Sequence, residues 1–335
     1  MAFEDRTNRA QYPVQGSTPV IFTIPPGGKV LRGNIVVAGN VVISGGTTNG
    51  AIVGEGGPIN IVNWIKVTAN RGANSRYPGG RIVDCDPRSL LRYAITEHNG
   101  KFIGEQSGSV LGSGAAGTYP IYLSIPIYWA DGTLRNEIQT ALNCDLLDST
   151  GRPVYSSVQV EVDFVNSLAT IFSGNDRVLN TSGLTCQWED DRLSIATDTV
   201  PIVQETHIQQ IGAANRRMQD FGLPQDGSFL SWLIMTEQGA AALLADTILN
   251  RVTLQSPTLN LDEYAQDIRQ RMYEDNWYDP AQAAAGQFFL DFTHGLLQNT
   301  NPAPGFNVRY DVLNPSGANL DQLRVYTRRA FALLS

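Results

Sequence analysis

Hydrophobic and polar positions alternate along much of this chain, and glycines cut the alternation into short pieces. SVQVEVDF (157–164) is the clearest case. Val158, Val160, Val162 and Phe164 fall on one face, and Ser157, Gln159, Glu161 and Asp163 on the other. A strict period of two predicts a strand with one buried and one wetter face, as in an antiparallel sandwich. TPVIFTIPPGGKVLRGNIVVAGNVVISGGTTNGAIVGEGG (18–57) is β-branched, cut by glycines and without helical period, which predicts strands joined by turns. PINIVNWIKVTAN (58–70) reads as a further strand. TYPIYLSIPIYWADG (118–132) also reads as strand, and Pro120 and Pro126 keep it off the middle of a regular ladder.

Two segments break this rhythm with helical spacing. In DPRSLLRYAITEHNG (86–100), Asp86 is the expected N-cap and Pro87 the first helical residue. Leu90, Leu91, Ala94 and Ile95 form its stripe, and Gly100 is the stop. In LDEYAQDIRQRMYEDNW (261–277), Leu261, Tyr264, Ala265, Ile268 and Met272 share a face. The remaining segments of the second half have strand composition: LTCQWEDDRLSIATD, FLSWLIMTEQG, NRVTLQSPTLNL, QFFLDFTHG, FNVRYDV and QLRVYTRRAF. EQGAAALLADTIL (237–249) fits either helix or strand. Residues 166–184 lose the pattern and read as an inter-domain connection. The expected organisation is an arm at 1–17, a first domain at 18–172 and a second at 173–335. Each domain has many short strands and one helix, so the chain reads as two similar β-sandwiches in tandem. No repeat is visible at the level of residues.

Length and charge agree with this reading. The 335 residues carry a net charge of −8, with only 17% charged positions and 32 glycines. An acidic body repels phosphate, which argues against coating nucleic acid by bulk electrostatics. So few charges leave much surface for contacts other than water. MAFEDRTNRAQYPVQG has no apolar core of a secretory signal, and no run of 18 apolar residues occurs. Synthesis in a cytoplasm is therefore expected. Cys85, Cys144 and Cys186 are far apart and odd in number, which predicts buried free thiols.

The search for catalytic chemistry finds little. Gly112–Gly117 matches GxGxxG but runs into extended sequence, so the helix that would meet a dinucleotide pyrophosphate is missing. His98, His207 and His294 show no metal-ligand spacing, and no GxSxG supports a serine nucleophile. Asn180-Thr-Ser182 is a glycosylation sequon without a secretory route. Carboxylates cluster at Asp84/Asp86, at Glu189–Asp190–Asp191, and at Glu274–Asp275 with Asp279. Such groups serve glycosidases or hold Ca²⁺, although none fits the spaced calcium loop. A structural Ca²⁺ at a subunit contact is kept as a hypothesis; otherwise no cofactor is expected. Arg324 and Arg328 share a strand face with Tyr326, with Arg329 opposite. That strip would suit nucleic acid or an anionic lipid surface, but against the acidic body an ion-paired exposed strand or subunit interface is favoured.

PPGGKVLRGNIVVAGNVVISGG, the glycine loop after it and PINIVNWIKVTANRG together resemble the N-terminal jelly roll of corticovirus-type major capsid proteins, from tailless icosahedral phages that enclose a membrane. IPIYWADGTLRNEIQTALNCDLLDSTGRPVYSSVQVEVDF (125–164) is similar to the aromatic-proline stretch, loop and alternating strand of double jelly-roll capsid proteins. The resemblance covers the first half of the chain. The second half agrees in strand rhythm. It implies an all-β fold of two tandem eight-stranded jelly rolls with short interspersed helices. It also implies a homotrimer whose six sandwiches form a pseudo-hexagonal capsomer in the shell of a virion. The function would be architectural, without catalytic residues or sequence-specific nucleic-acid binding. Partners would be neighbouring capsomers, penton or minor capsid proteins, and an internal viral membrane. Arg6 and Arg9 on the arm would then meet lipid headgroups or a neighbouring capsomer. Trp64, Trp129, Trp188, Trp232 and Trp277 are candidates for buried anchors or for core positions. Two rivals stand beside this. One is another phage or lectin-like sandwich protein; the other is a carbohydrate-active enzyme using Asp84 and Glu189.

Overall fold

A computed structural model describes residues 5–52, 57–97, 114–130, 137–165, 167–211, 216–220, 222–224, 226–238, 243–255, 260–274, 285–292, 307–313 and 321–334. Among them are sixteen strands of five residues or more. The first eight are β1 (Asp5–Pro13), β2 (Val20–Ile24), β3 (Lys29–Ser44), β4 (Val62–Arg71), β5 (Gly80–Cys85), β6 (Gly117–Tyr128), β7 (Tyr155–Phe164) and β8 (Val178–Leu193). The second eight are β9 (Ile202–Gln210), β10 (Arg216–Asp220), β11 (Ser228–Gln238), β12 (Leu249–Gln255), β13 (Asn260–Tyr264), β14 (Gln287–Asp291), β15 (Asn307–Leu313) and β16 (Gln322–Ala330). Two helices join them, α1 (Pro87–Glu97) and α2 (Ala265–Glu274).

The strand order shows two jelly rolls. In the first half one sheet runs β1-β8-β3-β6 and the other β2-β7-β4-β5. In the second half the sheets run β9-β16-β11-β14 and β10-β15-β12-β13. Subtracting eight from each number in the second half reproduces the first. The helices obey the same rule, because α1 follows the fifth strand of its half and α2 the fifth strand of the other. The duplication that no residue repeat betrays is thus complete in topology. Within each half every pairing is antiparallel. A short parallel contact, Gln204↔Val83 and Glu205↔Asp84, joins β9 to β5 and fuses one sheet from each half.

The sequence pattern accounts for the elements. β7 alternates as expected, with Val158, Val160, Val162 and Phe164 buried against the first core. β6 is an edge strand bonded on one side to β3, with Pro120 opposite Asn40 and Pro126 opposite Asn34. An edge tolerates the missing proline N–H. The Asp86 carboxylate accepts from the Arg88 backbone N–H at 2.7 Å and caps α1, with Pro87 at its first position.

Three boundaries differ from expectation. Leu261–Tyr264, expected inside the second helix, belong to strand β13 and pair with β12, so α2 begins only at Ala265 and Tyr264 is exposed rather than on its buried face. Residues 178–193 form β8, which pairs with β1 and β3 and carries Trp188 into the first core. The first sandwich therefore ends after Leu193, later than the boundary expected at 172/173. The start of β8 is broken by an irregularity between Asn180 and Gly183, which interrupts an alternation that otherwise buries Leu179, Thr181, Leu184, Cys186 and Trp188. Residues 5–13 of the expected arm are strand β1, laid along β8 from Asp5↔Arg192 to Pro13↔Thr185. Its polar composition fits an edge strand that contributes backbone hydrogen bonds rather than core side chains.

Gly33 marks the tightest packing in the first sandwich, because a Cβ there would collide with the Trp188 ring. Overpacking of this kind costs about 1–3 kcal/mol. Gly33→Ala is expected to lower the urea unfolding midpoint accordingly, and an unchanged midpoint would show that Trp188 has room to move.

Candidate functional site

In the sheet β9-β16-β11-β14, strands β16, β11 and β14 are buried on both faces. Trp232 and Ile234 of β11, Phe288 and Leu290 of β14, and Leu323 and Val325 of β16 fill the core of the second sandwich. The alternate residues Leu233, Met235, Phe289 and Tyr326 turn the other way and belong to the core of the first. This double burial removes the alternation from FLSWLIMTE and QFFLDF, which read as continuous apolar runs.

On β16 the face turned toward the first sandwich carries Arg324, Tyr326 and Arg328, all at most 2% exposed. Arg324 Nη1 donates to Asp86 Oδ2 at 2.6 Å, across 238 residues of sequence. Its Nε and Nη2 donate to the two carboxylate oxygens of Glu237 at 3.3 and 3.2 Å. Arg88 lies against the same two carboxylates, 3.2 Å from Asp86 and 3.4 Å from Glu237. Gln322 Nε2 donates to Glu237 at 2.6 Å. Two cations and two carboxylates thus cancel in a joint where Arg324, Asp86 and Glu237 are buried and Arg88 is part-exposed. One turn of strand further on, Arg328 donates to the Tyr93 hydroxyl and to the Trp129 carbonyl at 3.1 Å, with its guanidinium over the Tyr93 ring. Tyr326 Oη meets Gln204 Oε1 at 2.5 Å, and Gln204 Nε2 donates to the Tyr128 carbonyl at 3.0 Å. The joint is a line of directional polar contacts set in an apolar interface.

Burial alone would raise the Asp86 carboxyl, but Arg324 and Arg88 outweigh it and hold that group below its ordinary range. Arg329 points away from the joint, pairing with Glu205 at 2.5 Å and with Asp226. The C-terminal basic strip is therefore neither an exposed strand nor a nucleic-acid or lipid surface. Its alternation marks the contact between the two halves of one chain.

The other expected site residues are scattered. Asp84 accepts from Trp64 Nε1 and from Arg81 at 2.8 Å. Asp190 is buried and held by Arg192 at 2.8 Å and by Trp188 Nε1 at 3.0 Å, and Asp191 pairs with Arg32. Asp84 and Glu189 stand on β5 and β8, in opposite sheets of the first sandwich. Glu274 closes α2, while Asp275 and Asp279 lie outside the described residues, as do His98, His294 and Trp277. His207 lies 3.6 Å from Glu205. Among the described residues no three His, Cys, Asp or Glu side chains converge as a metal site. Trp129, Trp188 and Trp232 are core residues, with Trp129 and Trp188 edge to face at 6.3 Å. Arg6 stands opposite Asp191 on β1, and Arg9 lies at the bulge between Asn8 and Ala10. The joint residues Tyr93, Glu237 and Gln204 carry no sequence signal, because each is an isolated polar residue in an otherwise ordinary element.

Removing one partner from a buried ion cluster leaves a charge uncompensated, at about 3–5 kcal/mol. Arg324→Met is expected to destabilise the chain by that order in urea unfolding. A carboxyl depressed by folding stabilises above its ordinary pKa near ~4 and loses that contribution as pH falls through the depressed value. The wild-type midpoint should therefore fall on acidification below about pH 4, and Arg324→Met should flatten the fall. A parallel pH dependence in both proteins would remove Asp86 from the account. The three cysteines are buried and unpaired, with the Cys144 and Cys186 thiols pushed up to about 12 by burial. A thiol-alkylating reagent near neutral pH is expected to label none of them in the folded protein and all three after denaturation.

No protein-family model matches the chain, and no curated protein matches it. Solved structures do. The MCP of STIV, the Sulfolobus Turreted Icosahedral Virus, aligns with a TM-score of 0.69 at 10% identity, over 99% of this chain and 97% of that one. The major capsid protein of Bacteriophage PM2 aligns at 0.56 and 10% identity, over 99% and 98%. The Faustovirus major capsid protein aligns at 0.56 and 10% identity, over 100% and 91%. At such identities the likeness is one of fold, and it spans both halves and the joint between them: the chain has the double jelly-roll fold of these viral major capsid proteins.

Proposed function

We propose that this chain is a major capsid protein that assembles as a homotrimeric capsomer of pseudo-hexagonal outline in the shell of a tailless icosahedral virus, the resemblance pointing to a bacteriophage. The observation that carries the reading is the repeated strand order, fixed at a polar joint. Three copies of two matched sandwiches supply six similar wedges, which is what a hexagonal tile requires of a threefold particle. The alignment over nearly the full length of three viral capsid proteins supports it.

On this reading the chain works by assembly and not by turnover, in the virion. It would meet neighbouring capsomers, penton or minor capsid proteins, and an internal membrane. β1, which carries Arg6 and Arg9, has a partner on one side only among the described residues. We assign to it the contact with a neighbouring capsomer or with lipid headgroups at the inner surface.

Native mass spectrometry with negative-stain imaging of the same sample tests the reading. A stable trimer of hexagonal outline is expected. A monomer with an open cleft would overturn it and return attention to the carboxylates.

A further inference from the structure

A lysine is buried inside the first sandwich. Lys29, the first residue of β3, is 2% exposed and pairs across the sheet with Asn143, itself 1% exposed. Lys29 Nζ donates to Asn143 Oδ1 at 2.8 Å and to the Asp145 carboxylate. Asn143 Oδ1 also accepts from the Asp145 backbone N–H at 3.1 Å, while Nδ2 donates to Tyr77 Oη at 2.8 Å. Two donors converge on one end of the amide and an acceptor faces the other, so its orientation is fixed. The second Asp145 oxygen accepts from the Gly28 N–H at 2.6 Å, which holds the carboxylate against the amine. Tyr77 is anchored in turn by the Thr199 N–H at 3.1 Å. The surroundings are poorly solvated: burial pushes the neighbouring Cys144 and Tyr155 groups upward.

An amine, a polarised amide carbonyl and a carboxylate held together, the first two buried, are the components of amide exchange. We propose that Lys29 and Asn143 condense into an intramolecular isopeptide bond, with Asp145 as the proton acceptor. Asp145 takes one proton from the Nζ ammonium, and the free amine pair attacks Asn143 Cγ. The Asp145 backbone N–H stabilises the developing oxyanion on Oδ1. The Cγ–Nδ2 bond then breaks, a Cγ–Nζ bond remains, and Nδ2 leaves as ammonium with the two protons that Nζ gives up. Asp145 ends as the carboxylate it began as, and no oxidant or second reactant is needed. Fixed proximity supplies the drive, since well-oriented groups react as if at very high local concentration. The Asp145 side chain is 30% exposed and borders a cavity of about 110 Å³ between Pro26, Cys144 and Tyr155, which gives the ammonia a way out. The bond would tie the start of β3 to the segment before β7 across 114 residues. It rests on this geometry and is independent of the capsid reading.

Peptide mapping of the purified full-length protein by mass spectrometry decides the question. The expected result is a branched peptide joining Lys29 to Asn143, lighter than the sum of its two arms by one ammonia. Lys29→Arg, which keeps the charge beside Asp145, and Asp145→Asn should both return linear peptides, and Asn143→Asp should lose water in place of ammonia. The wild-type bond should also raise the thermal unfolding midpoint above that of Lys29→Arg. Linear wild-type peptides with a free Lys29 amine, or an ammonia loss that maps elsewhere or survives in Lys29→Arg, would overturn the proposal.

Discussion

The relation between the two sandwiches turns on one guanidinium. Arg324 stands between Asp86 of the first sandwich and Glu237 of the second, and Arg88 completes a neutral quartet in the joint. An apolar joint of the same area would be about as stable, because desolvating ions offsets most of their attraction. What the charged joint adds is direction. A guanidinium bonds only in its own plane and along fixed donors, so the angle between the sheets is set by chemistry as well as by shape. Leu233, Met235, Phe289 and Tyr326 then bury the surrounding surface in that one arrangement.

The duplication gives this angle its use. Two sandwiches with the same strand order, and helices at equivalent places, are similar blocks that differ in side chains. A hinge between them would leave their relation loose, whereas here β5 and β9 share a sheet and β16 is buried on both faces. In the proposed threefold capsomer, neighbouring lobes would be turned by one sixth of a revolution, inside a chain as well as between chains. The relation within the chain would then be fixed before assembly starts.

How much of this was legible in the sequence depends on whether a strand had one buried face or two. β7 alternates strictly and its facing was evident from Val158, Val160, Val162 and Phe164. α1 was legible to its cap, because Asp86 and Pro87 carry the start signal in their own chemistry. The tandem β-rich organisation followed from glycine-cut rhythm, and the jelly-roll order came from resemblance alone. β8 was misplaced because a strand's partner is decided by contacts with β3 and β1 that no local pattern records. The arginines of β16 show the same limit at single residues. Alternation of Arg324, Tyr326 and Arg328 correctly put them on one face, and period alone does not distinguish a solvated face from one covered by a second domain.

That ambiguity also explains the composition. A low share of charged residues in an acidic chain suggests surface hidden between subunits, yet part of the hidden surface lies within the chain. The joint buries Asp86, Glu237, Arg324 and Arg328, and only the Arg88 member of the cluster reaches the surface. The exposed apolar side chains lie elsewhere. Val42, Tyr122 and Val178 lie on the outer face of the β1-β8-β3-β6 sheet, where Val42 pairs with Asn180 and Thr118, Val178 with Ser44, and Tyr122 with Ala38 further along β3. Polar chemistry thus holds the lobes of one chain, and in the proposed capsomer the outer sheet face would offer its β-branched and aromatic side chains to neighbouring chains. On that reading specificity is placed inside the building block, and adhesion outside it.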